Sequence, residues 1–97
     1  EAGELDPALI SRMTDEEVIE TLVRVKGVGR WTAEMVLIFC LARPDVLAVD
    51  DLGLRIGVQR AFGLEERPGA RLLMEMGEAW RPYRTYASLL LWRAHDE

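Results

Sequence analysis

The sequence contains one cysteine, Cys40, among its 97 residues. That excludes an intramolecular disulfide and any four-cysteine zinc or iron–sulfur site within the chain. It holds one lysine, Lys26, and one histidine, His95, and His95 reads as a solvated side chain near the chain end. With only 4 prolines and 8 glycines, neither a collagen-like repeat nor a disordered low-complexity segment fits. No apolar run approaches the roughly 18 residues of a membrane span. The longest, Met35 to Ala42, has the length of a buried helix. The chain starts acidic, at Glu1, Glu4 and Asp6, unlike the basic start of a secretory signal. These absences predict a reducing, cytoplasmic setting without membrane attachment. Because the sequence lacks an initiator methionine, it reads as a piece of something longer. Alternating apolar residues are rare, so no strand is predicted.

What is present is a globular composition, 49% apolar and 30% charged, in a length that suits one domain or part of one. The net charge of −5 counts against nucleic acid. It is unevenly spread, however. Residues 1–20 hold seven of the 17 acids and one of the 12 bases, leaving ten acids against eleven bases in the remainder. Arg24, Lys26 and Arg30 then fall within seven residues that contain no acid.

Helix punctuation recurs along the chain. Asp6-Pro7 predicts an N-cap and first helical residue of a short helix through Arg12. Thr14 with Glu17 three residues on makes a capping box. The helix it opens carries Val18, Leu22 and Val25 on one face and ends at Gly27. A second helix is predicted from about Arg30 to Leu41, with Ala33, Val36, Leu37, Cys40 and Leu41 as its core stripe. Cys40 is thereby expected to be a core thiol. Arg43-Pro44-Asp45 breaks this helix. Asp50-Asp51 opens another, which Gly63 stops after Phe62. Arg67-Pro68-Gly69 opens a helix through about Ala79, and Arg81-Pro82 opens the last, to about Ala94. The predicted fold is all-α: a compact bundle of five or six short helices.

Leu22 to Ala33 is the most specific stretch. Two helices meet through Gly27-Val28-Gly29, and the second starts just after Gly29. Two readings fit this pattern. It is an ordinary helix–helix turn with a glycine C-cap, or an anion site in which helix N-terminal amides take a phosphate. Lys26 and Arg30 flank it. Asp50 and Asp51 leave a similar choice, between a helix cap and a working carboxylate. Trp92 shares a helical face with Ser88 and Thr85 while Leu90 and Leu91 are expected to point elsewhere. It is either a boundary core residue or the wall of a partly open cavity. Trp80 and Tyr83 read as packing residues.

The hairpin resembles the helix-hairpin-helix DNA-binding motif. With the strings Val28-Gly29-Arg30-Trp31-Thr32-Ala33, Arg43-Pro44-Asp45-Val46, Asp50-Asp51-Leu52-Gly53-Leu54-Arg55, Trp80 to Ala87, and Leu91-Trp92, the chain resembles the 3-methyladenine DNA glycosylase II branch of the helix-hairpin-helix DNA glycosylase superfamily. The likeness covers roughly residues 14–94, with the hairpin at about 15–41. It implies the C-terminal portion of a catalytic domain about twice as long, acting in base excision repair of alkylation damage as a monomer when full length. The expected setting is the bacterial cytoplasm with its nucleoid DNA.

By that resemblance the catalytic carboxylate is Asp51, with Asp50 as runner-up. Spacing from Trp31 points to Asp51, whereas Ala48-Val49-Asp50 resembles the endonuclease branch. Trp31, Trp92, Met35 and Leu52 are implied to border the base pocket, where a flipped base stacks on aromatic rings and a cationic base gains a cation–π attraction. Leu52 stands where the family's best-known pattern has an aromatic residue, which implies a less aromatic pocket. Lys26, Gly27, Val28, Gly29 and Arg30 are implied to hold DNA phosphate. No cofactor is required. The resemblance does imply a sodium or potassium ion on the backbone carbonyls of Val23, Val25 and Val28, shared with a phosphate of double-stranded DNA. Strand-cutting relatives have lysine where Trp31 stands, so a monofunctional glycosylase is implied. The alternatives are a non-catalytic helix-hairpin-helix DNA-binding module and, on the acidic first twenty residues alone, a helical protein-interaction domain.

Overall fold

A computed structural model describes residues 7–96. It is all-helical, in agreement with the sequence, and divides into two compact units, residues 1–42 and 43–97. The acidic residues Glu1, Glu4 and Asp6, including the predicted Asp6 cap, lie outside the described residues.

The first unit holds α1 (Pro7–Ile10), α2 (Asp15–Val23) and α3 (Arg30–Met35), the last continued by a π-helical turn over Val36–Cys40. The predicted capping box opens α2. Glu17 N–H donates to Thr14 Oγ1 at 3.1 Å, and Thr14 N–H donates to the Glu17 carboxylate at 2.7 Å. Three acids in the first turn of α2 complement the helix dipole. Val18 and Ile19 bury the inner face of α2, and Ala33, Leu37 and Ile38 that of the second helix.

Several predicted boundaries move, each for a local reason. The first helix stops at Ile10 rather than Arg12, where i→i+3 bonds from Arg12 and Met13 tighten the chain into a turn. Helix α2 ends at Val23 rather than Gly27, because Gly27 sits in the turn at φ 89°. The core-thiol expectation for Cys40 is overturned: its side chain is exposed. Leu41 N–H bonds to the Val36 carbonyl, five residues back, and this wide turn breaks the 3.6-residue period. Leu37 and Ile38 face inward while Phe39 and Cys40 point out.

The second unit holds α4 (Leu52–Phe62), α5 (Ala70–Gly77) with a 3₁₀ turn over Glu78–Trp80, and α6 (Arg84–Asp96). Gly63 ends α4 in the left-handed region at φ 65°, and Leu64 N–H closes the cap on the Gln59 carbonyl at 2.9 Å. The final helix starts at Arg84 rather than Pro82. Arg81 is extended, at φ −65° and ψ 145°, as expected for a residue that precedes proline.

Leu47, Leu54, Val58, Leu73 and Leu91 form the core of this unit, with Trp80 and Trp92 packed against it. Full burial of a leucine such as Leu54 contributes about 1.5–3 kcal/mol. Helices α4 and α6 pack closely because Gly57 has no side chain. A Cβ at that position would lie 1.9 Å from the Leu91 carbonyl oxygen.

Candidate functional site

The Asp51 carboxylate is held within the second unit. Asp51 is the N-cap of α4, as its local sequence predicts. Its Oδ2 accepts the Leu54 backbone N–H at 2.8 Å. The same oxygen accepts the indole Nε1–H of Trp92, on α6, at 2.6 Å. Two donors and the positive end of an eleven-residue helix therefore converge on one carboxylate. Gly53 lies beside this meeting, and a Cβ there would make ordinary van der Waals contact, at 3.4 Å, with both Asp51 Oδ2 and the Trp92 ring.

Asp50 is placed differently. Its side chain is 69% exposed and paired with Arg55 at 3.1 Å. The Arg55 Nε also donates to the Val49 carbonyl at 2.7 Å, which anchors the guanidinium beside Asp50. Leu52, the residue after Asp51, is exposed on the first turn of α4.

Trp92 departs from the predicted face pattern. Thr85, Ser88 and Leu91 are all buried, and Leu90 alone of the leucine pair points out. The Thr85–Ser88–Trp92 face is thus the packed side of α6, and Leu91 belongs to it. Sequence reasoning missed what holds this face. Thr85 Oγ1 donates to the Arg43 carbonyl at 2.6 Å and accepts the Val46 N–H at 2.8 Å. Alongside, Asp45 binds the Arg84 backbone N–H at 3.2 Å, the Arg84 guanidinium at 2.8 Å and Arg81 at 3.3 Å. Burial opposes ionisation of Asp45, but the hydrogen bonds and charge of Arg84, helped by Arg81, outweigh it and hold the carboxyl below its ordinary value. These contacts fix the Arg43–Val46 segment to α6. The Arg-Pro-Asp string is the only sequence signal that marked it.

The hairpin lies in the first unit. Gly27 needs its glycine for a φ of 89°, and Val28 N–H closes the turn on the Val25 carbonyl at 3.0 Å. Gly29, the N-cap of α3, is extended, at φ −95° and ψ −179°, a conformation open to any residue. A Cβ at Gly29 would meet nothing within 4 Å. Neither backbone nor packing within the chain therefore demands glycine there. No side chain caps the first turn of α3, whose amides have no acceptor within the helix. Lys26 is exposed in the turn.

Arg30 is already engaged. It makes two bonds to Glu16, at 2.6 and 2.9 Å, and pairs with the buried Glu34 at 3.3 Å. The Arg30 hydrogen bond lowers the Glu16 carboxyl pKa against a small desolvation penalty. This cluster joins α2 to α3 and spends most of the Arg30 charge internally. Trp31, on the first turn of α3, is half-exposed, and Met35, one turn later, is partly buried. Among the described residues, no group of three or more His, Cys, Asp or Glu side chains could hold a metal ion. No described helix is long and apolar enough to cross a membrane.

An all-α chain with a glycine hairpin and an aspartate-capped helix belongs to the helix-hairpin-helix class, and comparison with known proteins narrows it. No protein-family model matches the chain. It is 43% identical to DNA-3-methyladenine glycosylase 1 of Schizosaccharomyces pombe over 82 residues, which is 84% of this chain and 36% of that protein. Among solved structures it matches the Schizosaccharomyces pombe 3-methyladenine DNA glycosylase Mag1 in complex with abasic DNA. The TM-score is 0.83 at 41% identity, over 89% of this chain and 42% of that one. A DNA-3-methyladenine glycosidase from Bacillus halodurans matches with a TM-score of 0.88 at 45% identity, over 97% of this chain and 43% of that one. Along most of this chain its homologues are named DNA-3-methyladenine glycosylases, and its solved neighbours share the helix-hairpin-helix glycosylase fold. It spans about a third of the length of the curated relatives it matches.

Proposed function

We propose that this chain is the C-terminal part of a monofunctional DNA glycosylase that removes alkylated bases such as 3-methyladenine, and that Asp51 is its catalytic carboxylate. The observation that carries the reading is the Asp51 carboxylate at the N-terminus of α4, gripped by Leu54 N–H and Trp92 Nε1–H, in a chain homologous to glycosylases named for that lesion. The pairing of Asp50 with Arg55 supports Asp51 over its neighbour.

An N3-alkylated adenine is cationic and leaves without help from a general acid. Rupture of its glycosidic bond builds positive charge on the sugar, and a fixed carboxylate stabilises that charge as it forms and orients the attacking water. Trp31, Trp92, Met35 and Leu52 would border the extruded base. The sole lysine, Lys26, lies in the hairpin turn, which fits hydrolysis without a Schiff-base step. The hairpin would hold a phosphate of double-stranded DNA through the uncapped amides of α3 and the charge of Lys26, with Gly27, Val28, Gly29 and Arg30 around it. The carbonyls of Val23, Val25 and Val28 would hold a sodium or potassium ion there. Val28 N–H uses one lone pair of the Val25 oxygen, and a carbonyl oxygen has two. The ion would supply charge neutralisation for the phosphate.

The test is release of free 3-methyladenine from methylated DNA by the full-length protein. Asp51→Asn should bind abasic-site DNA normally and release no base. Normal turnover by that variant removes the assignment. Binding by the wild type with no release of any alkylated base would instead favour a non-catalytic DNA-binding module.

A further inference from the structure

We infer that Trp92 serves as a positioning residue for Asp51 through its indole N–H, rather than only as an aromatic wall. The inference rests on the proposed catalytic role of Asp51. Its basis is the 2.6 Å bond from Trp92 Nε1 to Asp51 Oδ2, short for an N–H donor and characteristic of a charged acceptor.

Two features make this bond a built one, beside Gly53, where a Cβ would make only ordinary van der Waals contact with both partners. Gly57, one turn later on the same face of α4, lets the α6 backbone approach so closely that any side chain would strike the Leu91 carbonyl, next in sequence to Trp92. Thr85, on the Trp92 face of α6, is buried and bonded to the Arg43 carbonyl and the Val46 N–H outside the helix, which sets the rotation of α6. The carboxylate is thus held from two directions. The α4 backbone supplies one donor and α6 the other, so rotation about the Asp51 side-chain bonds would break at least one of them. A carboxylate that must face a developing cation gains from being fixed before the reaction.

Phenylalanine at position 92 separates donor from ring. It keeps an aromatic face for stacking and removes the N–H. In the full-length protein, Trp92→Phe should lower kcat for 3-methyladenine release on the order of 10- to 100-fold. KM and abasic-DNA affinity should stay within about twofold of wild type, a margin worth less than one weak contact. A wall acting only by stacking would instead leave kcat unchanged, and that result overturns the inference.

A second measurement is NMR of the full-length protein, in which the signal missing from Trp92→Phe assigns the Trp92 indole N–H. The Trp92 N–H should resonate at low field and exchange slowly, and Asp51→Asn should shift it. An indole signal that Asp51→Asn does not move also overturns the inference, whatever the activity of Trp92→Phe. Full activity of Asp51→Asn with a shifted indole signal would leave the contact standing and remove the catalytic reading beneath it, so the two failures are distinct.

Discussion

Asp51 is a helix cap whose carboxylate also takes a second donor, the Trp92 indole. Capping alone would be satisfied by serine or threonine. The indole donor of Trp92 has a further use for the negative charge. Asp45 makes the complementary case, a carboxylate whose charge is spent on structure. Its folded-state pKa is depressed, so the unfolded chain binds the proton more readily as pH falls. The stabilisation is complete above the ordinary value of 3.8 and fades as pH drops through the folded value. Asp45→Asn should therefore destabilise the protein by about 1–3 kcal/mol at neutral pH. The two proteins should converge once the pH has fallen below the depressed folded value, where wild-type Asp45 is itself protonated. Urea unfolding across that range checks both parts. Thr85 is silent in the sequence because its two partners lie about forty residues away, as the 41-residue gap between Trp92 and Asp51 also illustrates. A cap is local and leaves a spacing in the chain, whereas a pairing between distant helices leaves none.

The helices divide along the same line. The capping box of α2, the Asp51 cap and the Gly63 stop of α4 were all legible, since each is set by residues within one turn. The π turn after α3 was not, because Val36 to Cys40 is apolar throughout and looks the same at either period. The starting point of α6 was missed by two residues, since Pro82 could as well open a helix as keep Arg81 out of one. Gly57 carries no local signal in the sequence, and only the approach of α6 gives it meaning. Gly57→Ala should push α6 from α4 and cost about 1–3 kcal/mol or more, as overpacked sites do. Gly69→Ala, where a Cβ meets nothing within 4 Å, should stay within about 0.5 kcal/mol as a surface change. Paired thermal or urea denaturation distinguishes them, and Gly57→Ala should also disturb the Trp92 indole signal.

The net charge of −5 gives a poor picture of the hairpin, where Lys26 is exposed and Arg30 is paired with Glu16 and Glu34. On the proposed reading, Lys26 is then the main side-chain charge offered to a phosphate, beside the main-chain amides. In the full-length protein, Lys26→Ala should reduce the salt dependence of abasic-DNA binding by about one ion released. Arg30→Ala should change it less, although it removes a clamp between α2 and α3. Equal slopes for both variants would mean that the Arg30 cluster opens when DNA binds. The outward turn of the helix at Cys40 has a practical use as well. The chain's only thiol stands exposed at the far end of the helix that begins at Gly29, so a single maleimide dye would attach at one known place. Fluorescence from that dye could follow DNA arriving at the other end of the same helix, with no cysteine to remove and none to add within this chain.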